Sequence, residues 1–200
     1  MSEAEHTDHA GGRFGMWLFL YSEIMLFSGL FILYAAYFRE YRPDFFHAGK
    51  ELDLRFGVAN TVILLVSSFL VAASITAIRQ ARKTLSIACL IGAILLGLAF
   101  LGNKYVEWGH KIHHGIYPNS PHLLAGPPGE TMFYSLYYVI TGLHGIHILV
   151  GLTLLTVSTV LLARNKITAG NDVLLENCGL YWHLVDLIWI FIFPLFYLIV

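Results

Sequence analysis

The sequence predicts an all-α, polytopic membrane protein, a bundle of five transmembrane helices. Three observations lead there. Hydrophobic residues make up 57% of the 200-residue chain and charged residues only 12%, about half the charged share of a soluble protein. The mean hydropathy is +0.67. The apolar residues also fall into five long blocks, each able to cover the ~20 residues that cross a bilayer core. A net charge of −1 provides no basic face for nucleic acid. The two cysteines, Cys89 and Cys178, form neither a disulfide framework nor a paired zinc spacing and read as buried apolar thiols.

Residues 1–13 read as a polar, acidic, His-bearing tail without the charged n-region of a secretory signal. The domain that follows, 14–200, carries all five spans. Span one, 14–38, has Trp17 and Tyr21 towards one end and Tyr34 and Tyr37 towards the other, as interfacial belts would. Glu23 is its one formal charge and lies roughly 13 Å along the helix axis. A polar connection with Pro43 leads to span two, 56–78. This span is rich in small and hydroxylated residues (Asn60, Thr61, Ser67, Ser68, Ser74, Thr76) that let helices approach closely in lipid. The compact basic turn Arg79–Lys83 precedes span three, 84–108, with Gly92 and Gly97 as close-approach points. Lys104 and Glu107 form an i,i+3 pair near the interface, followed by Trp108. Residues 109–130, with Pro118, Pro121, Pro127 and Pro128, read as a loop. Span four, 132–163, would be ~48 Å long as one helix, so it must tilt or protrude. Span five, 179–200, contains Pro194.

Five spans place the termini on opposite faces. The twelve Lys and Arg residues divide evenly between those faces, but the densest cluster, Arg79–Lys83, sits in the shortest turn. Short loops weigh most, so the N-terminus is expected inside.

An ionised group at mid-bilayer costs at least ~2.5–3.5 kcal/mol, so Glu23 and Asp186 need partners or protons. His144 with His147, and His183 with Asp186, are i,i+3 pairs, and both members of each can face one neighbour. Glu23 is expected to hydrogen-bond to His144 or His147. The plain reading makes these groups polar clamps between helices; the functional one gives them proton traffic or gating. Metal is the other possibility for the histidines. His110-x-x-His113-His114 spells an HxxHH box like that of membrane di-iron desaturases. It is expected in a loop, however, with His144 at mid-bilayer and His183 towards the other face, so no metal site is expected. His110, His113, His114 and His122 read as solvated loop residues.

Motifs along the chain then carry a resemblance. They are Gly15-Met16-Trp17 and Ser22-Glu23-Ile24-Met25-Leu26-Phe27; Asn60-Thr61 and Leu64-Leu65-Val66-Ser67-Ser68; and Glu107-Trp108. Thr141-Gly142-Leu143-His144-Gly145-Ile146-His147 with Gly151 follows, then Tyr181-Trp182-His183-Leu184-Val185-Asp186-Leu187-Ile188-Trp189 with Phe193-Pro194-Leu195-Phe196-Tyr197. In this order the chain resembles subunit III of the haem-copper respiratory oxidases, in the five-helix bacterial form. The resemblance implies a subunit with no catalytic centre, haem or copper of its own, the haem and copper residing in partner subunits. It implies packing on catalytic subunit I, with subunit II and a small subunit IV in the complex. It further implies phospholipid in a cleft between helices, and support of proton uptake. Glu23 falls on the family's reactive intramembrane carboxylate, and His144 and His147 on its paired histidines. The implied location is the bacterial inner membrane, with the N-terminus cytoplasmic and the C-terminus periplasmic. Seven-helix members carry two further helices where this chain has its short tail. Glu23 after Ser22 looks like the cytochrome c oxidases, whereas quinol oxidase relatives often carry Asp there; relatives associated with nitric oxide reductase also have five helices. A free-standing transporter or proton channel is the alternative from another class. Five spans do not divide into two equal inverted halves, and none shows paired Gly/Pro breaks.

Overall fold

The computed structural model describes residues 3–198. Residues 1–2 of the tail and 199–200 of the last span, and the side chains of residues 3–10, Arg13 and His122, lie outside the described residues. Among the described residues seven helices are present in chain order: α1 (Glu3–Glu40), α2 (Arg42–Lys50), α3 (Leu54–Arg79), α4 (Lys83–His113), α5 (Pro121–Leu124), α6 (Pro128–Ala163) and α7 (Val173–Tyr197). Five of them are long and apolar enough to cross a bilayer: α1 from Phe14 onward, α3, α4, α6 and α7. The helices α3, α4, α6 and α7 pack as a ring in which each touches the next. Helix α1 lies outside it against α6 and α7, and α2 covers one end against α1, α6 and α7.

Two connections are more ordered than their composition suggests. The segment between spans one and two contains α2, whose Pro43 stands in the first turn, where a missing N–H removes no hydrogen bond. Gly129 N–H, at the start of α6, donates to Asp44 Oδ2 at 3.1 Å and fixes α2 to the bundle. The loop after span three is shortened from both sides. Helix α4 runs on to His113 because nothing interrupts it before Gly115, which has φ 74°. His110 and His113 are therefore helical rather than loop residues. Within the remaining connection Ser120 caps α5, its Oγ accepting from Leu123 N–H at 3.2 Å.

The basic turn between α3 and α4 is tied down at the opposite end of the bundle. Arg79 Nε donates to Asp172 Oδ2 at 2.7 Å, and its Nη2 lies 3.4 Å from Glu176. Lys83 Nζ donates to the Ala163 carbonyl at 2.8 Å and to Asn165 Oδ1 at 2.5 Å. The cations of this turn thus close the start of α7 and the end of α6 onto the α3–α4 hairpin.

In lipid the hydrophobic effect does not drive helices together, so packing and hydrogen bonds must. Trp182 provides both. Its indole N–H donates to Ser67 Oγ (3.1 Å), and that hydroxyl donates to the Ala93 carbonyl (3.1 Å), joining α7, α3 and α4. The ring is received by glycines. A Cβ at Gly97 would stand 2.9 Å from Trp182 Cη2, and one at Gly151 would stand 2.7 Å from Cε3. Gly151→Ala is expected to lower the stability of the purified protein by about 1–3 kcal/mol through overpacking against a rigid ring. Gly145→Ala, which meets open space, is expected to be neutral. Thermal unfolding in detergent checks both.

Candidate functional site

Three polar seams cross the apolar bundle. The first joins α1 to α6. Glu23 Oε2 lies 2.8 Å from His147 Nε2, both side chains largely buried. His147 Nδ1 lies 2.8 Å from the Leu143 carbonyl. A carbonyl only accepts, so Nδ1 carries a hydrogen, and the short contact at Nε2 requires one more proton between that nitrogen and the carboxyl. Glu23 and His147 therefore share a single proton and are neutral as a unit, whichever atom holds it. That arrangement makes a carboxyl tolerable within a span.

His144, one turn away, does not join this pair. It is fully buried in the ring, 5.6 Å from the Phe100 ring and 5.3 Å from Trp189, centroid to centroid. Neither of its nitrogens has a hydrogen-bond partner among the described residues. The two histidines of α6 thus face different neighbours.

The second seam joins α3 to α7. Ser68 Oγ lies 2.6 Å from His183 Nδ1 and is also near the Asp186 carboxyl. His183 and Asp186 thus share a serine hydroxyl of α3 as neighbour, rather than Glu23, His144 or His147. Asp186 is buried, and its Oδ1 has no partner among the described residues.

The third seam lies at the end of the bundle where α4 finishes. Lys104 and Glu107 are 7% and 4% exposed, so this pair lies inside the bundle end. Lys104 Nζ donates to Glu107 Oε2 (3.0 Å), Tyr137 Oη (3.0 Å) and Tyr197 Oη (3.1 Å), using all three of its protons. Tyr137 and Tyr197 both donate to Glu107 Oε1, at 2.6 and 2.5 Å. The ion pair is closed on every side by α6 and α7, and Trp108 packs edge-on to Tyr138 beside it. Sequence reasoning singled out Lys104, Glu107 and Trp108 but missed Tyr137 and Tyr197. It also missed Lys111, one further turn along the same face of α4, and Glu51, which accepts from Tyr134 Oη at 2.7 Å. The spacing 104, 107, 111 was the available signal.

The histidines of the HxxHH box do not gather with the others. His114 Nδ1 bonds to the His110 carbonyl at 2.7 Å. Among the described residues no three His, Cys, Asp or Glu side chains come together as a metal site would need.

Apolar helices that satisfy their polar side chains against one another define an integral, multi-pass membrane protein. Comparison with known proteins specifies it further. The family model described as "Cytochrome c oxidase subunit III" matches residues 2–199. The chain is 30% identical over 197 residues to "Cytochrome bo(3) ubiquinol oxidase subunit 3" of Pseudomonas aeruginosa, covering 97% of this chain and 88% of the relative. It is 30% identical over 200 residues to "Cytochrome c oxidase subunit 3" of Allomyces macrogynus (92% and 64%). It is also 29% identical over 200 residues to "Heme-copper oxidase subunit I+III" of Aeropyrum pernix, where it matches 22% of that longer chain and 94% of its own length. The chain belongs to the cytochrome c oxidase subunit III family. It is a subunit of a respiratory oxidoreductase complex and associates with haem-copper oxidase catalytic subunits.

Removing one member of the third seam has a directional consequence. Glu107→Gln leaves a buried ammonium without its counter-charge and is expected to cost about 3–5 kcal/mol. The double variant Lys104→Met/Glu107→Leu is expected to recover most of that loss. Denaturant or thermal unfolding of the three proteins in one detergent checks the ordering.

Proposed function

We propose that this chain is the non-catalytic subunit III of a proton-pumping, haem-copper terminal oxidase and supports proton uptake by the complex. Residues 14–200 act as one five-helix membrane domain in a bacterial inner membrane, with the N-terminus cytoplasmic and the C-terminus periplasmic. The observation that carries the reading is the Glu23–His147 pair. It is a carboxyl and an imidazole 2.8 Å apart that hold one proton between them, at the junction of α1 with the ring. Such a pair exchanges its proton between two sites without changing its net charge, so it can take part in proton movement without exposing a charge to lipid. His183 with Asp186, buried His144, and the Lys104–Glu107 pair beside Trp108 brace the helices.

The chain holds no haem, copper or catalytic centre of its own; haem and copper belong to partner subunits, which include the catalytic subunit I, a subunit II and optionally a small subunit IV. The printed name of the Aeropyrum pernix relative, which joins I and III, supports direct packing on subunit I. Phospholipid occupies the apolar cleft between α1 and α7 lined by Ile24, Phe27, Phe31, Leu187 and Phe191. The electron donor is cytochrome c, as Glu23 after Ser22 suggests. Quinol is the second reading, supported by the names of the relatives from Pseudomonas aeruginosa and Staphylococcus saprophyticus.

Gentle solubilisation is expected to bring the chain down together with a haem-bearing partner; a chain that runs alone contradicts the assignment. In the purified complex Glu23→Gln is expected to lower turnover or the proton-to-electron ratio while assembly persists. Unchanged values for both would reduce the pair to a structural brace. Supplying reduced cytochrome c or quinol to the same preparation distinguishes the donors.

A further inference from the structure

Lys111 stands out among the buried charges. It is only 8% exposed, yet its ammonium makes no hydrogen bond and no ion pair among the described residues. Its near neighbours are the faces of Tyr134 and Tyr137, with Nζ 5.4 and 5.9 Å from the ring centroids. Two turns earlier Lys104 has an acceptor for each of its three protons. A buried ammonium with no hydrogen-bonded acceptor is a costly arrangement, because Glu107 and Glu51 offset its desolvation only through space.

Lys111 lines a pocket of about 380 Å³ at the end of the bundle, together with Glu51, Asp53, Phe56, Glu107, His110, His114 and Ile116. The charges around it are already partly assigned. Glu107 is saturated by Lys104, Tyr137 and Tyr197. Glu51 receives Tyr134 Oη on Oε2, and Asp53 Oδ1 receives the Arg55 N–H at 2.9 Å as the cap of α3. Each of these two carboxylates keeps its other oxygen without a hydrogen bond among the described residues. The pocket therefore offers one unpaired cation on its α4 wall and two half-used carboxylates on the wall where α2 turns into α3. A simple anion would meet Lys111 but be repelled by Glu51 and Asp53, and a simple cation would meet the reverse. A group bearing a phosphate and a primary ammonium at once satisfies both walls, converting each contact into a charge-assisted hydrogen bond. The pocket lies where α3 begins and α4 ends, and the ends of membrane spans are within reach of lipid headgroups.

We propose that this pocket binds a phosphoethanolamine group, with its phosphate on Lys111 and its ammonium on Glu51 and Asp53. The site is distinct from the apolar cleft between α1 and α7, and it requires only that the chain lie in a membrane.

Native mass spectrometry of the complex, stripped of lipid in detergent and then offered single phospholipids, tests this. The wild-type protein is expected to retain phosphatidylethanolamine over phosphatidylcholine and phosphatidylglycerol by about tenfold. A quaternary choline has no N–H for the carboxylates, and a glycerol headgroup has no cation. Lys111→Met is expected to abolish the preference, whereas Lys50→Met, at an exposed position, is expected to keep it. Because Lys111→Met removes an unpaired buried charge, its melting temperature is expected to be no lower than wild type, which separates loss of binding from loss of fold. Soluble phosphoethanolamine that displaces the lipid at comparable concentration identifies the free molecule as an equal source of the group; displacement only at large excess identifies the lipid. Equal retention of all three lipids, or an unaltered preference in Lys111→Met, overturns the proposal. Co-purification with haem-bearing subunits is read in the same preparation, so failure of this site is distinguishable from failure of the oxidase assignment.

Discussion

The structure depends on one constraint: inside a bilayer a polar side chain has no water to turn to, so it must find another helix. Several polar groups within the spans each pin a particular pair of helices at a particular height. Ser67 holds Trp182 and the Ala93 carbonyl, tying α3, α4 and α7 at one level. Ser86 Oγ donates to the Ser74 carbonyl at 2.8 Å and ties α4 to α3 near the turn between them. Trp189 Nε1 donates to Thr61 Oγ1 at 3.1 Å and ties α7 to α3. Apolar packing alone would let these helices slide or rotate against one another. The hydroxyls and indoles fix the register, and the glycines at 97 and 151 let the largest ring lie deep enough to make its bond.

The same constraint separates the helices into two kinds. The ring of α3, α4, α6 and α7 carries internal hydrogen bonds on nearly every interface. Helix α1 presents long apolar side chains outward, among them Trp17, Ile24, Met25 and Ile32. It is joined to the ring within the bilayer by the Glu23–His147 bond and, farther along, by Tyr34 Oη donating to the Leu195 carbonyl at 2.6 Å. A proton-sharing pair at a junction with so few polar ties is placed where its state can affect how firmly α1 is seated. A pair deep within the ring would have no such freedom.

Much of this was legible in the sequence because hydropathy blocks and helix periodicity are local properties. The five spans and the pairing of Glu23 with a histidine of α6 follow from them. Which histidine it is does not. Residues three apart on a helix differ by about 60° in direction, enough to point His147 at α1 and His144 into the ring once α6 lies between them. The partner of His183 was hidden for a different reason. Ser68 was read as a small residue permitting close approach, and only the packing of α3 on α7 turns its hydroxyl into a shared neighbour of His183 and Asp186. The closure of Lys104 and Glu107 required tyrosines from two other helices, 33 and 93 residues away from the lysine. No local pattern announces a contact of that range.

The basic turn Arg79–Lys83 illustrates how one cluster of charge can serve at two times. Its acceptors, the Ala163 carbonyl, Asn165, Asp172 and Glu176, all lie in segments made later in the chain. While only the chain up to the end of α4 has been synthesised, the cations of the turn lack these acceptors and are available to the membrane field and to headgroups. Once α6 and α7 arrive they become the latch that holds the finished bundle shut. A cluster of charge without internal partners during synthesis is thus converted into internal bonds. For this reason, counting such residues in a completed structure understates what they contributed during its assembly.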